Sequence, residues 1–158
     1  MKRIYIVLVA IGFVGSLLGC GLISGKGDAE KVAQSFLEDR IANGGFGGDD
    51  KYYSDTFWQY TNENEWKNIN RLVGKALGNL KSYSLTSWNT QSKFYTNQLS
   101  GTFVVLVYDT EYDKGKGQET ITMYKGLKDN DFLILGQHIN SKKIQELLYR
   151  GIENVAAE

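Results

Sequence analysis

The chain contains no proline, one histidine and one cysteine among its 158 residues. The single cysteine, Cys20, has no partner within the chain, so no intramolecular disulfide staples the fold and the core must hold it alone. With His138 as the only histidine, nitrogen and sulfur ligand sets are excluded and only oxygen ligands are left for a metal. Asp49-Asp50 and Asp129-Asn130-Asp131 read as turns, and neither has the twelve-residue spacing of a calcium loop. No metal and no cofactor is expected. The 18 basic and 18 acidic residues cancel and are mixed along the chain. Without a basic excess or a polybasic segment, nothing points to nucleic acid or to anionic lipid headgroups. Internal repeats are lacking, and Gly44-Gly45-Phe46-Gly47-Gly48 is the one stretch of low complexity.

What is present begins at the N-terminus. Lys2 and Arg3 precede an uncharged run, Ile4 to Leu18, followed by Gly19 and Cys20. A basic start, a short apolar segment and a small residue at the cut define an export signal. Leu17-Leu18-Gly19-Cys20 resembles the lipobox of bacterial lipoproteins. The resemblance implies a diacylglyceryl thioether on Cys20, cleavage before it, and acylation of the new amino group. Residues 1–19 are then a signal peptide and 20–27 a lipidated tether. The domain lies outside the cytoplasm, on the cell membrane or the outer membrane of a bacterium. Each buried methylene contributes about 0.8 kcal/mol, and two or more chains anchor where one is reversible. The competing reading is an uncleaved membrane helix. The uncharged run continues to Gly25, and about 20 apolar residues can span a bilayer; Gly12, Gly15, Gly19 and Gly21 weaken such a helix. Fully extended, the tether Gly21 to Gly27 reaches at most roughly 25 Å, which keeps the domain near its membrane. Gly21 after the cysteine is not the aspartate associated with inner-membrane retention, which favours the outer membrane where a host has one.

The rest reads as one α+β domain, residues 28–140, with an amphipathic helical tail, residues 141–158. Asp28 is placed to cap a helix, whose apolar face comprises Ala29, Val32, Ala33, Phe36, Leu37 and Ile41. Gly44 and Gly45 end it, and the glycine stretch reads as a flexible linker, because no Lys-Ser/Thr follows it to make a phosphate cradle. A short aromatic helix is expected between Asp50 and Tyr60. A longer one is expected from Thr61 or Asn62 to Leu80, with Trp66, Ile69, Val73, Ala76, Leu77 and Leu80 as its stripe. After Leu80 the period changes to two. Tyr83, Leu85 and Ser87 face one way, and Ser84, Thr86 and Trp88 the other. Strands follow over Gly101–Tyr112, Gln118–Lys125 and Phe132–Ile139, joined by short turns as an antiparallel meander. In the tail, Ile144, Leu147, Leu148, Ile152 and Val155 return to helical spacing.

In element order the chain resembles the bacterial cystatin-like-fold lipoproteins, related to the nuclear transport factor 2-like superfamily. The likeness rests on the helix Ala29–Ala42, the aromatic segment Tyr52–Trp58, the run Gly101–Tyr112, the segment Glu119–Tyr124 and the closing Phe132–Ile139. Phe132 stands where such domains often carry Trp. The resemblance implies N-terminal helices packed on a strongly curved antiparallel sheet that forms a cone. Related folds use that cone as a ligand pocket, an active site or a dimer surface, so fold alone does not choose among them. Some lipoproteins of this appearance are associated with conjugation or secretion machinery, which implies such a setting here.

No catalytic constellation stands out. His138 shares the parity of Phe132, Ile134 and Gly136 and is expected to face the cone, where it titrates in a useful range; the plainer reading is a hydrogen-bonded sheet histidine. Asp109, Glu111 and Glu119 read as solvated hairpin charges near Lys114 and Lys116. The surplus is aromatic: Tyr53, Trp58, Tyr108, Tyr112 and Tyr124 combine contact area with a polar end. With His138 they form the candidate set for a pocket mouth or a protein-contact patch; the plainer reading is an aromatic-rich core. The expected function is a non-enzymatic envelope lipoprotein that binds a protein, a peptide or a small apolar ligand. Two alternatives stand beside it: a cone-pocket isomerase or hydrolase using His138 or Glu119 as base, and a sheet-mediated homodimer.

Overall fold

The computed structural model describes residues 19–93, 99–147 and 149. Its elements run α1 (Gly19–Asn43), a single 3-10 turn (Asp50–Tyr52), α2 (Asp55–Tyr60), α3 (Glu63–Leu77), then β1 (Leu80–Lys93), β2 (Gly101–Tyr112), β3 (Gly115–Gly126) and β4 (Leu133–Asn140). Residues 142–147 are again helical. The strands form one antiparallel sheet in chain order, β1-β2-β3-β4. The helices pack on one face of it, an α+β arrangement of helices on a four-stranded meander.

Local chemistry accounts for the boundaries. Ser54 caps α2 by accepting from the Phe57 amide, and Asn62 caps α3 by accepting from Asn64 and Glu65. Gly78, at φ 77°, ends α3, and Gly44, at φ 76°, ends α1 with its amide on the Arg40 carbonyl. The core lies between α1 and the inner sheet face. Ala29, Ala33, Phe36 and Leu37 meet Val104, Leu106 and Tyr108 of β2, Ile121 and Met123 of β3, and Ile134 of β4, all buried. Burial of each large apolar side chain contributes about 1.5–3 kcal/mol.

Three expectations change. First, the helix expected to start at Asp28 starts at Gly19, so the tether is helical rather than extended. Gly25 already lies on the sheet: a Cβ there would sit 3.8 Å from Thr102 and 3.9 Å from Phe132. Second, β-bulges invert strand parity. Leu85 pairs with Tyr108 but Ser87 with Val107, so the extra residue Thr86 puts Trp88, not Ser87, on the side of Tyr83 and Leu85. Third, Ile69 is exposed, and α3 buries Trp66, Val73, Ala76 and Leu77 with half-buried Asn70 between them. The expected signal peptide, residues 1–19, and the far end of the tail, residues 150–158, lie outside the described residues apart from the backbone of Gly19. No helix among the described residues is long and apolar enough to cross a membrane.

Candidate functional site

One buried polar centre stands out, and it is built around Arg40. The residue falls four after Phe36 and seven after Ala33, which places it on the apolar stripe of α1, while Ile41 turns partly to solvent. Its guanidinium meets Glu119, which shares the inward parity of Ile121 and Met123 on β3. Both side chains are completely shielded from solvent. Arg40 Nη1 donates to Glu119 Oε2 at 2.8 Å and Nη2 to Oε1 at 3.2 Å, a two-pronged ion pair. Nη2 also donates to the Tyr112 hydroxyl at 3.0 Å, and that hydroxyl donates to Glu119 Oε1. Gln137 Nε2 completes the set by donating to Glu119 Oε2 at 3.2 Å. The rings of Phe36 and Phe46 approach the guanidinium to 5.3 and 4.9 Å.

The glycine loop covers this centre. Three successive carbonyls face inward: Gly45 accepts from Arg40 Nε at 3.2 Å, Phe46 from Gln137 Nε2 at 3.4 Å, and Gly47 from the Tyr53 hydroxyl at 2.7 Å. The same Tyr53 proton is shared with Gln137 Oε1, also at 2.7 Å. Gly48 is required sterically, and Gly47 admits a side chain only if Asn70 moves aside. A Cβ on Gly48, at φ 60°, would come within 2.6 Å of the Phe36 ring, and one on Gly47 within 2.3 Å of Asn70. The segment expected to be a flexible linker is therefore a fitted cover, tied down at Arg40, Gln137 and Tyr53.

The electrostatics follow from burial. Loss of water alone would lower the Arg40 pKa; the Glu119 carboxylate and then Tyr112 outweigh it, and the net direction is upward. Tyr112 is pushed up by burial and by the neighbouring Glu119 charge, against a smaller opposing pull from Arg40. Burial likewise raises Tyr53. Chemically, the Glu119 carboxylate accepts four hydrogen bonds, two on each oxygen, and has no free acceptor position to take a proton from a substrate. Glu119, expected as a solvated hairpin charge, is thus a fully buried ion-pair partner, whereas Asp109 and Glu111 are exposed. Among the described residues no group of three or more His, Cys, Asp or Glu side chains is placed to hold a metal ion.

The six candidate contact residues do not converge. Tyr53 and Tyr112 are both buried in the centre just described. Trp58 is half-buried at its edge, against Tyr53 and Phe57. Tyr108 is buried on the inner face, edge-on to Tyr83 at 5.7 Å. Tyr124 lies on the opposite face, its ring 5.0 Å from Phe103 and its hydroxyl donating to the Ser100 carbonyl. His138 is exposed on that same outer face, opposite Thr120. A bulge is the reason: Thr122 pairs with Gly136 and Met123 with Ile134, leaving Leu135 as the extra residue. The parity that pointed His138 inward is reversed, and Gln137 takes the inward position. Sequence reasoning missed Arg40 and Gln137. A charged residue on an apolar helical stripe was the available sign of the first.

A separate open groove of about 880 Å3 lies beside the β2–β3 hairpin, where Ser82, Asp109, Glu111 and Lys116 face Lys142 and Glu146 of the last helical segment. The Ser141 hydroxyl donates to the Lys116 carbonyl at 2.9 Å and fixes the start of that segment to the hairpin. Comparison of the chain with family models, with curated proteins and with solved structures found no match.

Proposed function

We propose that this chain is a lipid-anchored protein of the bacterial envelope whose folded domain is a non-enzymatic binding module of the cystatin-like, nuclear transport factor 2-like kind. The observation that carries the reading is the N-terminal pattern: a basic start, an uncharged run, and Leu17-Leu18-Gly19-Cys20. Two features support a binding rather than a reactive role. Among the described residues the one fully buried carboxylate has its acceptor positions filled by Arg40, Tyr112 and Gln137, and His138 sits outside on the sheet. The mixed-charge groove between the β2–β3 hairpin and residues 142–147 is the surface offered to an envelope protein.

Metabolic labelling with palmitate tests the anchor. Label is expected on the chain and is expected to vanish in Cys20→Ser; a mature protein that keeps its original N-terminus contradicts the reading. Crosslinking in intact envelopes tests the module. Truncation after Asn140 removes one wall of the groove and is expected to abolish capture of a specific partner while the domain still folds.

A further inference from the structure

The two ends of α1 are fixed to opposite ends of the sheet. At its C-terminal end Arg40 meets Tyr112, the last residue of β2, and Glu119 in the first half of β3. At its N-terminal end Gly25 lies against Thr102 near the start of β2 and Phe132 just before β4. The helix backbone continues from Gly25 back to Gly19. At 1.5 Å per residue, Cys20 is only about 7–8 Å beyond the point where the domain begins. A lipid on Cys20 would hold this end of the domain at the bilayer surface, with no slack for another end to take its place.

The same end carries the turn between β3 and β4. Register places it there: Thr102 pairs with Lys125, and Gly101 with Gly126. At the tip, Leu127 is 65% exposed, a large apolar side chain in a turn. Lys125 and Lys128 flank it, the first with its ammonium 5.8 Å from the Phe132 ring. The turn is preformed: the Gly126 amide donates to Asp129 Oδ2 at 2.9 Å, where a Cβ on Gly126 would sit 2.6 Å from the same oxygen. An apolar tip between two long cationic side chains is the arrangement that enters an interface while the ammonium groups stay in the headgroup layer. Around it, Lys31, Lys93, Lys125 and Lys128 stand beside Asp28, Asp129 and Asp131, a surplus of one positive charge, so attraction to anionic lipid is a minor term.

From this geometry we infer that Leu127 and its flanking lysines form a second, non-covalent membrane contact: the β3–β4 turn rests in the headgroup region beside the anchor, and the β2–β3 hairpin with its groove points away from the membrane. The inference rests on the lipoprotein reading, and its test separates the two. Full-length Leu127→Cys and Lys114→Cys variants are purified from membranes, labelled with an environment-sensitive thiol probe, and reconstituted in vesicles of phosphatidylcholine with a minority of phosphatidylglycerol. Both positions are exposed, so neither substitution threatens the fold. The expected result is one labelled thiol per chain; a probe at position 127 that shifts to the blue, is quenched by doxyl lipid and escapes aqueous iodide; and a probe at 114 that stays aqueous. Added salt should leave the pattern unchanged. A 127 probe as aqueous as the 114 probe, with one thiol per chain, overturns the contact and leaves the anchor standing. A 127 probe hidden from iodide yet unquenched by lipid signals a protein neighbour and also overturns it. Two labelled thiols per chain mean Cys20 is free, and both readings fail together.

Discussion

The two ends of α1 solve the problem of packing a helix on a sheet in opposite ways. At the Gly25 end the helix rests on Thr102 and Phe132, its nearest ion pair, Lys26–Glu30, keeps partial access to water, and the glycine is there without need: its hypothetical Cβ meets Thr102 and Phe132 at ordinary distances. At the Arg40 end a guanidinium and a carboxylate are taken wholly out of water, and the loop above them turns on Gly48, whose positive φ and contact with Phe36 disfavour any side chain. Removing two ions from water costs several kcal/mol each, and only excellent geometry offsets that loss. Here the offset is visible as a two-pronged ion pair, a tyrosine, a glutamine and three loop carbonyls. The contrast teaches that the buried charge specifies rather than stabilises. It ties the last turn of α1 to β2, β3 and β4 and to the glycine loop above them.

The comparison is broken most forcefully by removing one ion. Glu119→Leu and Arg40→Met are each expected to cost about 3–5 kcal/mol in chemical denaturation, because the surviving partner is left buried and unpaired. Next come the glycines. Gly48→Ala must hold a positive φ and displace the Phe36 ring, a loss of about 2–4 kcal/mol. Gly25→Ala in the helix is expected to gain up to about 1 kcal/mol, since the added methyl fits and helix propensity rises. Thermal melts of the pair therefore move in opposite directions, and equal shifts would erase the distinction between the two ends.

The smallest effect at neutral pH is the one that alkali reveals. Burial raises the pKa of Tyr53, Tyr108 and Tyr112 above the ordinary value of 10.0. The folded state holds these protons while the unfolded chain releases them from about pH 10 upward, so stability is full below that pH and falls as pH rises through it. The slope is on the order of 1.4 kcal/mol per pH unit for each tyrosine kept neutral. Tyrosinate absorbance should show these three ionising only as the protein unfolds. Tyr112→Phe should make the alkaline fall shallower. Titration of all ten tyrosines in the intact fold would contradict the burial.

Much of this was legible in the sequence, and the failures share a cause. The order of helices and strands, the bounds of β2 and the glycine stop of α1 follow from periodicity and turn chemistry. The inward parity of Glu119 with Ile121 and Met123 was legible too, as was that of Tyr112 with Leu106 and Tyr108. What defeated the reading was insertion of single residues. Thr86 and Leu135 each shift a strand by one position, and nothing in their side chains announces it; Gly136 next to the second bulge is the only local hint. One such shift exchanged His138 for Gln137. The glycine stretch misled for a different reason. Its composition suits a linker, but its conformation is set by Arg40 just before it together with partners from α3 and β4 that lie far away in the chain.

The account stands on Arg40 and Glu119 acting as one unit that closes the fold. A double-mutant cycle measures this directly: wild type, Arg40→Met, Glu119→Leu and the double variant, each unfolded in denaturant. The account predicts a double variant far more stable than the sum of the single losses, with a coupling energy of about 2–3 kcal/mol. Losses that add to within about 0.5 kcal/mol would mean the two side chains do not share a site, and would contradict it.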